Sequence, residues 1–243
     1  MRSKSHESAG AVSGRQPGRH LLREVLGDGS GPPAYIEARW PIVLTVGVAV
    51  GLSATLPEHL TFGPTWLAPI LEVGLLIPLL LTEPHWHPAA GWPWQRALST
   101  GLFGVLNASN LASLGLLVIL LLHGGRASGA QLITDAGKIW MTNILVFGLW
   151  YWHLDGGGPR ARRVASGPPD FLFPQQSSPA VAAPGWRPTL VDYVYIAFTN
   201  ATAFSPTDTL PLTPAAKGLM GIQALISLIT VALVAARAVN ILT

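Results

Sequence analysis

The chain has 243 residues, 49% hydrophobic and only 11% charged, with a mean hydropathy of +0.41. A soluble domain carries about 25% charged residues, so the composition excludes an ordinary water-facing globule and fits a lipid-facing one. Cysteine is absent, which excludes disulfides, thiolate metal sites and a cysteine nucleophile. The net charge of +3 comes without the basic, aromatic-interleaved clusters of a nucleic-acid binder.

Residues 1–38 form a polar, basic tail in which no apolar run follows the first basic residues, so it does not read as a signal peptide. Residues 39–153 hold four apolar segments, Trp40–Leu56, Trp66–Leu81, Ala97–Leu122 and Leu132–Trp152. Each comes near the length of about 20 helical residues that crosses a hydrocarbon core of about 30 Å. The first two are short for the purpose. Trp40, Trp66, Trp92, Trp94, Trp150 and Trp152 fall at or near their ends, where indole rings favour the bilayer interface. Residues 154–188 break the pattern with Gly156-Gly157-Gly158-Pro159, the basic run Arg160-Ala161-Arg162-Arg163 and further prolines. This stretch reads as a flexible connector, long for a compact domain.

Residues 189–243 carry the most information. Thr189 is placed to cap a helix, with Asp192 as the acid of a capping box. That helix runs to about Phe204 and is too short to cross. Ser205-Pro206-Thr207-Asp208 is a turn-forming cluster, and Thr209-Leu210-Pro211-Leu212 is extended. Thr213 as N-cap and Pro214 at the first helical position then open a helix to about Leu242, long enough to span. A short helix, a polar turn, an extended return and a spanning helix make a re-entrant loop. Such backbone has to be buried in protein or line a water-filled cavity.

These residues carry a resemblance. Tyr195–Val234 resembles the pore helix, filter and inner helix of tetrameric potassium channels. Asp208-Thr209-Leu210-Pro211-Leu212-Thr213 is similar to the run of Asp, two residues, Pro, one residue and Thr that follows their filter. Thr202 takes the place of a threonine before the filter, and Lys217 that of a basic residue opening the inner helix. The resemblance implies a homotetramer with an ion pathway along Thr199, Thr202, Ala203, Phe204, Ser205, Pro206, Thr207 and Asp208. It covers about a fifth of the chain. The filter itself departs from the family pattern. Ser205 and Thr207 stand where glycines permit the filter backbone, and Pro206 fixes its own φ. A potassium-selective cage of carbonyls is therefore not expected. The whole chain is also similar to bacterial multi-pass membrane proteins of no assigned activity that share the five-helix, loop-at-the-end plan.

In the last helix Gln223, Ser227, Thr230 and Arg237 share one face. They line a pore or join helices by hydrogen bonds, and Arg237 at the end snorkels to the interface. Glu72, inside the second apolar segment, is an intramembrane acid that relays protons, binds a cation, or sits neutral in the bundle. Asn107, Asn110 and Asn143 read as interhelical glue. His85 and His87 flank Trp86, but no further ligand has metal-site spacing. No nucleophile elbow, phosphate loop or zinc-protease motif is present, so neither an enzyme, a cofactor nor a metal is expected.

The sequence thus predicts an all-α integral membrane protein of the bacterial inner membrane, with five transmembrane helices and a re-entrant pore-like helix before the last. Six spans are the alternative. Positive charge favours the cytoplasm. It argues that a re-entrant loop, if present, opens there with the N-terminus. The expected function is a channel-like homo-oligomer passing cations without a potassium filter. The alternative is a non-conducting scaffold of the same plan.

Overall fold

The computed structural model describes residues 40–81, 93–123, 128–163, 167–202 and 208–242. Helix α1 spans Trp40–Ala54, α2 Leu67–Leu81, α3 Pro93–Leu122 and α4 Gly129–Leu154. A short helix α5 (Pro159–Arg163), strand β1 (Phe171–Leu172) and a one-turn helix α6 (Pro174–Ser177) follow. Helix α7 (Leu190–Thr202), strand β2 (Leu210–Pro211) and helix α8 (Pro214–Leu242) complete the chain.

Among the described residues, three stretches are long and apolar enough to cross a membrane: Arg96–Leu122 in α3, Gly129–Gly157 covering α4 and the turn after it, and Pro214–Arg237 in α8. Helices α1 and α2, of 15 residues each, reach about 22 Å at 1.5 Å per residue. They fall short of a full core. The surface supports the same environment. Large apolar side chains such as Leu44, Ile70, Leu111, Ile222, Leu225 and Leu228 point outward, while Glu72, Asn110, Asn143, Gln223, Ser227 and Thr230 are buried. A surface this apolar is adverse in water, whereas in lipid the polar groups are the ones that must turn inward.

Helix α4 is the axis of the bundle, packing against α1, α3, α7 and α8. Its N-cap Ser128 accepts a hydrogen bond from Gln131 N. Inter-residue contacts fix the run of each helix. Lys138, near the start of α4, donates to Thr55 O just past the end of α1 at 3.0 Å. Thr100, near the start of α3, lies 3.1 Å from His153 at the end of α4. Asn143 on α4 reaches Ser227 on α8, and Tyr151 reaches Gln223. So α1, α3 and α8 run one way and α4 the other.

Gly148 brings α7 close to α4. A Cβ there would lie 2.8 Å from Val194 Cγ2 and 2.9 Å from Val194 Cα. Because the second atom is backbone, no rotamer change relieves the clash. Gly148→Ala is expected to cost about 1–3 kcal/mol by overpacking. Thermal unfolding in detergent would show it as a lowered Tm, and Val194→Ala should not rescue it fully, since the backbone contact remains.

The described part of residues 154–188 departs from the expected flexible connector. Strand β1 pairs antiparallel with β2, Phe171 opposite Pro211 and Leu172 opposite Leu210. Leu212 N donates to Asp170 O at 2.8 Å. Phe173 stacks edge-on with Trp186 and Tyr193. Gly156, Gly157 and Gly158 all have positive φ, a conformation glycine adopts without penalty. A Cβ on Gly158 would also lie 2.9 Å from His153 O. The glycine run is thus a tight reversal at the end of α4.

Candidate functional site

Two polar networks hold α7 and α8 in place. The first caps the bundle at the end of α4. Asp155, 1% exposed, accepts from Asp170 N at 2.6 Å and Phe171 N at 3.2 Å through Oδ1, and from the Tyr193 hydroxyl through Oδ2. Asp170 accepts from Gly156 N at 3.0 Å and from Thr213 Oγ1 at 2.5 Å. Arg162 donates through Nη1 to Trp152 O and Asp155 O, both at 2.7 Å, and lies 5.1 Å from the Tyr193 ring centroid. That distance suits a cation–π contact.

The geometric result is specific. Tyr193 sits in the first turn of α7 and Thr213 immediately precedes α8. Through Asp155 and Asp170 both helix starts are tied to the same loop, at the same end of α4. The caps expected at these starts are met in different ways. Thr213 Oγ1 accepts from Ala216 N at 3.3 Å, so it caps α8 as its position predicts. At α7, Asp192 accepts from Thr189 N at 2.7 Å, the return half of a capping box. The Thr189 hydroxyl donates to the same carboxylate at 2.8 Å.

The second network lies deeper. Gln223, 0% exposed, accepts from Tyr151 OH at 2.5 Å and Asn200 Nδ2 at 2.8 Å, and donates through Nε2 to Ala197 O at 2.8 Å. Asn200 also donates to Met220 O at 2.9 Å, and Asn143 to Ser227 Oγ at 2.8 Å. Thr230 donates to Ile226 O at 2.8 Å. Within one chain the Gln223–Ser227–Thr230 stripe therefore faces the interior. Its first two members bridge helices and Thr230 bonds within its own. A buried polar group in an apolar surround needs such partners, which explains why these three share a face.

Thr199 donates to Tyr195 O and Ile196 O, each at 3.0 Å, and Thr202 to Thr199 O at 2.9 Å. Asp208 is exposed. Ala203, Phe204, Ser205, Pro206 and Thr207 lie outside the described residues, as do His85 and His87. Glu72 is wholly buried; Oε2 accepts from Ser53 Oγ at 3.2 Å, while Oε1 has no partner among the described residues. Among the described residues no three His, Asp or Glu side chains gather as a metal site.

Sequence reasoning did not single out Asp155, Asp170 or Arg162. Their signal is faint: aspartates and an arginine in a Gly/Pro-rich stretch look like solvent-exposed loop residues. Only the fold-back of the loop buries Asp155 and half-buries Arg162 and Asp170. Asn143 was legible, being an amide in an apolar run. No family model, curated protein or solved structure matches this chain.

Proposed function

We propose that the protein is a channel-like integral membrane protein of the bacterial inner membrane, in which α7 and β2 are the two arms of a re-entrant hairpin. Helices α1, α2, α3, α4 and α8 are its five passes. One observation carries the reading: the starts of α7 and α8 are both tied by Asp155 and Asp170 to the end of α4. A helix that crossed the bilayer between those two points would leave α8 starting at the opposite face. The length of α7 agrees, since 13 residues give about 20 Å. The two short helices α1 and α2 are accommodated by interfacial aromatics or local thinning.

Six copies of basic side chain, Arg96, Arg160, Arg162, Arg163, Arg187 and Lys217, belong to segments at or beside the loop end. Positive charge therefore favours a cytoplasmic position for this end, so the hairpin opens to the cytoplasm. The outward face of α7 presents Val191, Tyr195 and Phe198. That apolar, aromatic face suits contact with another copy, and a tetramer lines a central pathway with Thr199, Thr202 and Asp208. The ring of Asp208 side chains attracts cations at the mouth.

The test is flux from liposomes holding the purified chain. Cation flux above empty vesicles is expected, with Asp208→Asn lowering it several-fold by removing the charged ring. A monomer in native mass measurements together with no flux would overturn the reading and favour a non-conducting scaffold.

A further inference from the structure

The end of the bundle opposite the loop holds a feature that ion conduction does not use. A shallow outward crevice is lined by Leu117 and Leu121 of α3, by Leu132, Ile133 and Ala136 of α4, and by Leu233, Val234 and Arg237 of α8. Seven of its eight lining side chains are apolar, and the eighth is a cation. Arg237 Nε is buried and has no hydrogen-bond partner among the described residues. The nearest acid in sequence to the crevice, Asp135, pairs through Oδ1 with Lys138 Nζ at 3.1 Å, and neither its Oδ2 nor Arg237 Nε has a hydrogen-bond partner among the described residues. A guanidinium is always charged and presents a planar fork of donors that matches phosphate. Leaving a donor buried without an acceptor is unfavourable, so the position favours an anionic acceptor.

Depth decides which anion. Arg237 closes the apolar stretch that begins at Pro214. The 23 steps between them span about 35 Å of helix, slightly more than a hydrocarbon core of about 30 Å. Arg237 therefore stands at headgroup level, while Leu117, Ala136 and Leu233 line the wall beside it and toward the core. We infer that the crevice between α3, α4 and α8 is a binding site for an anionic phospholipid, with the phosphate on Arg237 and the start of one acyl chain against the leucine wall. The apolar lining accounts for the chain, and charge complementarity for the headgroup. The inference rests on the membrane insertion of α3, α4 and α8 and is independent of conduction.

The experiment is native mass spectrometry of the full chain released from mild detergent, offered equal phosphatidylglycerol and phosphatidylcholine with matched acyl chains. Preferential retention of phosphatidylglycerol is expected. Arg237→Gln should lower that retention roughly fivefold, the loss expected from one arginine's attraction to an anionic lipid. Ala136→Phe fills the crevice with Arg237 intact and should lower retention of phosphatidylglycerol as well, so the test does not depend on one variant folding. Equal retention of the two lipids, or unchanged retention in both variants, overturns the inference. Displacement of phosphatidylglycerol by millimolar inorganic phosphate would make it a free-anion site, which also overturns it. A lipid-free dimer abolished by Arg237→Gln would make the occupant a second copy, with the same consequence. Because none of these readouts measures flux, failure here leaves the channel reading standing, and absent flux leaves the lipid site standing.

Discussion

Asp155→Ala is expected to release the segment between α4 and α7 and to lower stability by about 3–6 kcal/mol. The substitution removes one acceptor carboxylate from three donors at once: the backbone N–H groups of Asp170 and Phe171 and the Tyr193 hydroxyl. Each buried group left without a partner costs about 1–3 kcal/mol, and Phe171 and Tyr193 are both fully buried. Limited proteolysis should cut the variant within residues 167–189 faster than it cuts the native chain. Thermal unfolding should show a large drop in Tm. Asp155→Asn keeps the size and one acceptor oxygen, so its loss should be intermediate. If cutting is unchanged in the alanine variant, Asp155 does not anchor the loop, and the two helix starts are held by other contacts.

The second large effect is at Gln223. Its side chain makes three hydrogen bonds, to Tyr151, Asn200 and Ala197 O. Polar contacts between membrane helices average about 0.6 kcal/mol and reach about 1.7, so Gln223→Leu should lose roughly 2–5 kcal/mol by the same measure. The consequence is local to α7, because Asn200 and Ala197 belong to its second half. Detergent unfolding measures the loss. A double-mutant cycle with Tyr151→Phe apportions it: the pair should be non-additive by about 0.6–1.7 kcal/mol. Strict additivity would mean that the Tyr151–Gln223 bond contributes nothing.

The two effects act at opposite ends of α7. Asp155 and Asp170 hold the starts of α7 and α8, while Gln223 and Asn200 hold the far end of α7 against α8. A 13-residue helix cannot be oriented by the bilayer through length matching. Its position has to come from directed bonds to neighbours that are themselves fixed, and α4 and α8 supply them.

Much of this was legible in the sequence. Apolar run length and flanking tryptophans set the helices to within a few residues: Leu67–Leu81 and Pro214–Leu242 fall where the hydropathy pattern puts them. Thr213-Pro214 marked the start of α8, because N-cap and first-turn chemistry act over three or four residues and need no distant partner. That Gln223, Ser227 and Thr230 share a face follows from the helical repeat alone. What the face meets does not follow from it. Whether those residues turn toward a pore or toward Asn143, Tyr151 and Asn200 depends on the packing of α4, α7 and α8, which periodicity leaves open.

The tertiary structure alone decided the fate of the Gly/Pro/Arg-rich stretch. Asp155 and Thr213 are 58 positions apart in sequence, yet Asp170 joins the turn after one to the other. No local pattern encodes a contact of that range, because its cost is chain entropy set by the whole path and its gain is burial that exists only once the helices are assembled. The same holds for Arg237. Its place at the end of an apolar helix is plain in the sequence. That its Nε is buried beside a leucine-lined crevice, with no acceptor among the described residues, is a property of three helices meeting.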